Sequence, residues 1–176
     1  MAGMNKIINP VYNNLIILNN DCKKLIITGG LVMENNDTIQ LLKECDSGTK
    51  MAVESINEIL DKVKATELRD VLNDSRIHHE KLGNELHSLL LEHNSEEKDP
   101  APMAKGMSWL KTNFKMAMDE SDATIASLIT DGCNMGVKSL HMYMNKYTEA
   151  DNASKDICKR LVSIESKLCE DMQPYL

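Results

Sequence analysis

The chain has 176 residues, is 42 % hydrophobic and carries a formal net charge of −7. Its length fits one domain, or one domain with an appendage. The acidic balance argues against nucleic acid as the partner, because a phosphate backbone needs clustered Lys and Arg to release its counterions; no apolar run reaches the ~20 residues that span a bilayer.

Aromatic residues make up only 3 % of the chain, and there are 12 Met. The core is therefore expected to be aliphatic, with Met filling gaps. Abundant Leu, Met, Glu and Lys, with few β-branched or aromatic runs, favours helix over sheet. The five thiols, Cys22, Cys45, Cys133, Cys158 and Cys169, show no CxxC and no metal-ligand spacing. They read as reduced cysteines of a cytoplasmic chain.

Residues 1–32 differ from the rest. They are rich in Asn and Ile, and their apolar clusters follow no helical period. They are expected to be a disordered arm or a translated leader. Thr28-Gly29-Gly30 before Met33 is encodable as a ribosome-binding sequence, which would make Met33 the natural start; the gene's nucleotides decide that. The fold is expected over residues 33–176.

Asn36-Asp37-Thr38 offers a helix cap. From there Leu42, Cys45, Thr49, Ala52, Ile56, Ile59 and Val63 form one apolar seam in steps of 3 and 4. A second seam holds Leu72, Ser75, His79, Leu82, Leu86, Leu89 and His93. The link near Ala65-Thr66 is short, so these helices are expected to pack antiparallel. Asn94–Pro102 is polar and ends the hairpin. An amphipathic stretch follows at Met103–Met118, with Trp109 and Phe114, and is expected as a short helix in a long crossover. Ser121-Asp122 offers a new cap. The third seam is Ala126, Ile129, Cys133, Gly136, Leu140, Tyr143 and Tyr147. The fourth is Cys158, Leu161, Glu165, Leu168 and Met172, ended by Pro174.

The chain repeats itself. Ser47-Gly-Thr-Lys-Met-Ala-Val-Glu-Ser-Ile56 returns as Asp131-Gly-Cys-Asn-Met-Gly-Val-Lys-Ser-Leu140, 84 residues on; Asp70-Val-Leu and Lys81-Leu82 return 86 residues on as Asp156-Ile-Cys and Lys167-Leu168. A helical hairpin used twice, joined by one crossover, predicts an all-α four-helix bundle.

Asn36-Asp-Thr-Ile-x-Leu-Leu, Ala104-Lys-Gly-Met-Ser-Trp-Leu-Lys111, and Ser121-Asp-Ala-Thr-Ile125 followed by Asp131-Gly-Cys carry a resemblance to the ferritin-like superfamily. The chain resembles the small bacterial ferritin-like bundles grouped as a domain of unknown function. The resemblance implies a ferritin-like four-helix bundle and raises the question of a di-iron centre. That centre takes one Glu from each of two helices and a Glu-x-x-His from each of the others. With His79 as the motif's His, the Glu position holds Arg76, and helix four holds Val162 and Glu165. With Glu165 as the motif's Glu, Leu168 stands where His belongs. Neither register supplies the four carboxylates that two irons require.

His79 and Glu165 are equivalent across the repeat and both lie in a seam, so they are expected to face each other near the bundle's pseudo-twofold axis. The plainer reading is a satisfied polar pair. The alternative is a mononuclear iron or zinc site, with Asp131 or Glu44 as third ligand. His87 and His141 read as surface residues. Met135, Met142 and Met144 read as core filler. Thr49, Ala52, Cys133 and Gly136 are small enough to let two helices approach closely at mid-bundle.

These residues favour a non-catalytic bundle, without a cofactor, that acts through self-association as a homodimer or by binding a protein partner, with no nucleic acid and no membrane. A Met- and Leu-rich outer stripe is expected to bury against the second copy. The alternative is an iron- or zinc-binding metalloprotein with a degenerate ferritin-like site.

Overall fold

The computed structural model describes residues 36–97 and 121–176, all within a compact unit, Asn35–Leu176. The segment 1–32, Cys22 and the crossover stretch with Trp109 and Phe114 lie outside the described residues. The described chain forms α1 (Asn36–Ile59), a 3₁₀ turn (Leu60–Lys62), α2 (Thr66–Glu92), α3 (Asp122–Lys146), α4 (Asn152–Met172) and a closing 3₁₀ turn (Gln173–Tyr175). The last turn carries Pro174, which cannot continue a helix. No described helix is long and apolar enough to cross a membrane.

Two short loops make two antiparallel hairpins, and side chains at the helix starts tie each hairpin to the other. The first backbone N–H groups of a helix lack partners within it. At α2, the N–H groups of Lys64 and Ala65 donate to the Asp122 carboxylate at the start of α3, both at 2.8 Å. At α4, the N–H of Asp151 donates to Thr38 Oγ1 at the start of α1, at 2.8 Å. Thr38 and Asp122 are 84 residues apart, and Ala65 and Asp151 are 86 apart, so the two ties are the same tie at opposite ends of the bundle. Each helix that opens a hairpin therefore begins beside the other hairpin's loop. α1 and α3 run antiparallel, α2 and α3 run parallel, and the link between α2 and α3 has to travel the bundle's length.

Asp122 bonds two backbone donors, whereas Thr38 bonds one. Asp122→Ala is expected to cost about 2 kcal/mol of stability and Thr38→Val about 1 kcal/mol. Urea denaturation checks both, and the double variant is expected to lose the sum because the sites lie at opposite ends.

Ser121 caps α3, accepting from the Thr124 N–H, and Asp151 caps α4, accepting from the Ser154 N–H. α2 ends at the predicted break in a Schellman closure. The N–H of Ser95 donates to the Leu90 carbonyl and that of Asn94 to the Leu91 carbonyl, both at 2.9 Å. Asn94 takes the left-handed conformation this requires, with φ 49°.

The core divides into two apolar clusters. One holds Ile56, Ile59, Leu68, Leu72, Ile125, Ile129 and Met172; the other holds Leu41, Leu42, Leu82, Leu86, Leu90, Leu140 and Ile157. The fourth seam is buried at all five predicted positions. The second seam needs a correction at its end: Leu90 is buried, while Leu89 and His93 are only half-buried. Its last step is 4 residues rather than 3, as a helix of 3.6 residues per turn requires at intervals. Met135 and Met142 are not core filler: they are 52 % and 55 % exposed. They lie seven residues apart on α3.

Candidate functional site

α2 presents Leu72, Ser75, His79 and Leu82 to the interior in steps of 3 and 4, so His79 has no route to solvent (0 % exposed). Its Nδ1 lies 2.8 Å from the Ser75 carbonyl, and its Nε2 lies 3.3 Å from Oε1 of Glu165 on α4. A carbonyl can only accept, so Nδ1 carries a hydrogen and donates to Ser75, which turns Nε2 toward the Glu165 side chain. Burial alone disfavours the charged ring. The hydrogen bond and charge of Glu165, with the Ser75 carbonyl, outweigh it and hold the imidazole above its ordinary value. The His79–Glu165 pair bridges the two hairpins.

The repeat explains why these two residues differ. They are mates 86 residues apart, and they touch. A position that touches its own mate lies on the pseudo-twofold axis, so identical residues there would set two imidazoliums or two carboxylates against each other. Opposite charges remove that conflict.

Glu165 is 8 % exposed and borders the Cys133 thiol. Burial, and then the Glu165 charge, push that thiol well above its ordinary range. Burial and Glu165 also push Cys169 up. Both remain thiols, which leaves neither as a nucleophile at neutral pH. On α3, Gly136 stands against the Glu165 carboxylate. A Cβ there would meet Cδ and Oε1 at 3.3 Å and Oε2 at 3.5 Å, so the absent side chain makes room for the acid.

Glu165 also forms part of the floor of a cleft of about 340 Å³ between α1 and α3. The walls are the duplicated segment itself: Ser47, Gly48, Met51, Ala52 and Ser55 on one side, and Gly132, Met135, Gly136 and Ser139 on the other. Of the small residues expected to let two helices approach closely, Gly136 does so against Glu165 of α4, and Ala52 and Gly136 both line the cleft. A Cβ at Gly48 or Gly132 would meet nothing within 4 Å, so here small residues leave space.

Of the four candidate ligands, the structure brings two together. Asp131 is exposed, and Glu44 lies half-buried along the cleft. No three His, Cys, Asp or Glu form a metal-holding group among the described residues. Thr49, in the first seam, spends its hydroxyl on the Cys45 carbonyl at 2.9 Å. One carboxylate, beside an imidazole with both nitrogens engaged, does not fit a di-iron centre. His87 is exposed, as predicted, and pairs with Glu97 at 2.5 Å; His141 is exposed too. Sequence reasoning did not find the cleft, nor the fit of Gly136 to Glu165. The usable signal was the pairing of Ala52 with Gly136 in the repeat.

No protein-family model matches the chain, and no curated protein sequence does. Solved structures do. Dps92 from Deinococcus radiodurans superposes with a TM-score of 0.65 at 12 % identity, over 81 % of this chain and 87 % of that one. Dps from Thermosynechococcus elongatus gives 0.62 at 15 % identity, over 81 % and 91 %. A DUF305 fragment from Deinococcus radiodurans gives 0.64 at 10 % identity, over 79 % and 94 %. Identity this low speaks for fold alone. The chain has the ferritin-like fold, an all-α four-helix bundle.

Proposed function

We propose that this bundle is non-catalytic and acts by association, with a second copy of itself as the partner, seated along α3. The observation that carries this is the stripe Leu128, Met135 and Met142, one residue every seven along α3, of which Met135 and Met142 are about half exposed. Such a stripe is an apolar seam on one helical face, and Met side chains adapt to a partner's surface. It is also mirrored about Met135. A second α3 laid antiparallel sets Met135 on Met135 and Leu128 on Met142, as a closed twofold interface requires. The reading needs no cofactor. The free thiols Cys45, Cys133, Cys158 and Cys169 support a reducing, cytoplasmic setting for it.

Light scattering of the purified chain tests this. A dimer is expected at micromolar concentration, and Met135→Glu is expected to give a folded monomer, because it sets two like charges on the twofold axis. A wild-type monomer overturns the reading. So does stoichiometric iron or zinc, found by mass spectrometry and lost in His79→Ala, which would make the His79–Glu165 pair a metal site.

A further inference from the structure

We infer that the cleft between α1 and α3 binds a small apolar cation, an ammonium group on an aliphatic or aromatic body, with the ammonium seated on Glu165. The inference goes beyond self-association and does not depend on it: Leu128 and Met135 of the stripe also line the cleft, but the cation is held by Glu165 on its floor, which the stripe does not include.

The cleft, about 340 Å³, falls in the range of small-molecule sites, which are mostly apolar with a few placed polar groups. Its walls are Met, Leu, Ile, Ala, Gly and Ser side chains, and Gly48 and Gly132 hold it open. The charges that line it are all of one sign. Glu44 and Glu165 are the charged residues along it, and among the described residues no Lys, Arg or His lines it. His79 lies behind Glu165 and is closed to the cleft.

Glu165 can still accept. It gives Oε1 to His79 at 3.3 Å, but a carboxylate has about four lone-pair directions. Gly136 places no side chain over it. An N–H donor entering between the helices therefore meets an acid largely removed from water, where a charge contact is stronger than at a surface. An anion of the same shape meets the Glu165 acid on the floor of the cleft. A neutral molecule gains the apolar walls but not the charge.

Isothermal titration calorimetry of the full chain tests the proposal, with n-octylammonium, n-octanol and octanoate as probes of equal length. The ammonium is expected to saturate one site per chain. Octanol is expected to bind about tenfold more weakly or worse, the worth of a charge-assisted hydrogen bond, and octanoate not at all. Glu165→Gln keeps the shape of the floor and is expected to weaken the ammonium by about tenfold or more. A Cβ at Gly132 meets nothing within 4 Å, and Gly132→Leu raises helix propensity; it is expected to fold and to abolish binding. Met142→Glu, on the same stripe but outside the cleft's lining, is expected to bind the ammonium as the wild type does, so a failed dimer and a failed cation site read differently. Octanoate binding as well as octylammonium overturns the proposal, as does unchanged ammonium binding in Glu165→Gln. A Gly132→Leu chain that changes oligomeric state, while the wild type takes up no amine, gives the cleft to a second copy and overturns it too.

Discussion

His79→Ala is expected to destabilise the bundle by about 3–5 kcal/mol, the usual loss when one partner of a buried ion pair is removed. The cost comes from what remains. Glu165 keeps its place against Gly136, 8 % exposed, with an uncompensated charge, and the cavity left by the ring adds to it. Replacing both residues with leucine is expected to recover much of the loss, because a well-packed apolar pair carries no desolvation penalty. Urea denaturation of the two single variants and the double variant measures the coupling. Equal midpoints for wild type and His79→Ala would show that the pair does not hold the hairpins together.

The same pair sets a pH dependence with a definite sign. His79 is held above its ordinary imidazole value in the folded state, so folding favours its protonated form. The contribution is complete below the unfolded pKa of about 6.5 and is lost as pH rises through the folded value. The other titratable groups that border Glu165 are the thiols of Cys133 on α3 and Cys169 on α4, both pushed upward, away from this window. Wild-type stability is thus expected to fall, relative to the double-leucine variant, as pH rises above the unfolded imidazole value of about 6.5.

Much of this arrangement was legible in the sequence, because four long amphipathic helices advertise their inner faces. The steps from Leu72 to His79 and from Cys158 to Glu165 named buried residues correctly, and the repeat paired His79 with Glu165 before any coordinate did. Ser121 and Pro174 marked helix ends through chemistry that is local. What stayed hidden depends on the distance between helices, which no period encodes. Small side chains serve equally well to bring two elements together or to leave a gap, and here they do both: Gly136 admits Glu165, while Gly48 and Gly132 leave open space. Met135 and Met142 fail for a related reason. Their hydrophobicity says they gain by burial, but not whether this chain or a second copy buries them. The ties from Asp122 and Thr38 were out of reach as well, since each joins residues more than 50 positions apart.

A second large effect separates the sealed core from the cleft. Leu72 is fully buried in one apolar cluster, whereas Leu161, 1 % exposed, lies under the cleft and forms part of its floor. Their exposures are nearly equal, so transfer free energy predicts equal costs for truncation to alanine. The cavity term does not. Leu72→Ala leaves a void that close-packed neighbours cannot fill, and its cost is expected at about 4–5 kcal/mol, near the top of the range for leucine truncation. Leu161→Ala enlarges a space that is already open, into which water or the flexible side chains of Met51 and Met135 can move. Its cost is expected at about 2–3 kcal/mol. Urea denaturation of the two variants measures the difference. Equal losses would mean that the space between α1 and α3 is closed in solution, and with it the route to Glu165. A clear gap between them would instead identify the duplicated segment as a pair of walls around an accessible floor, which is the condition any ligand of this bundle has to meet.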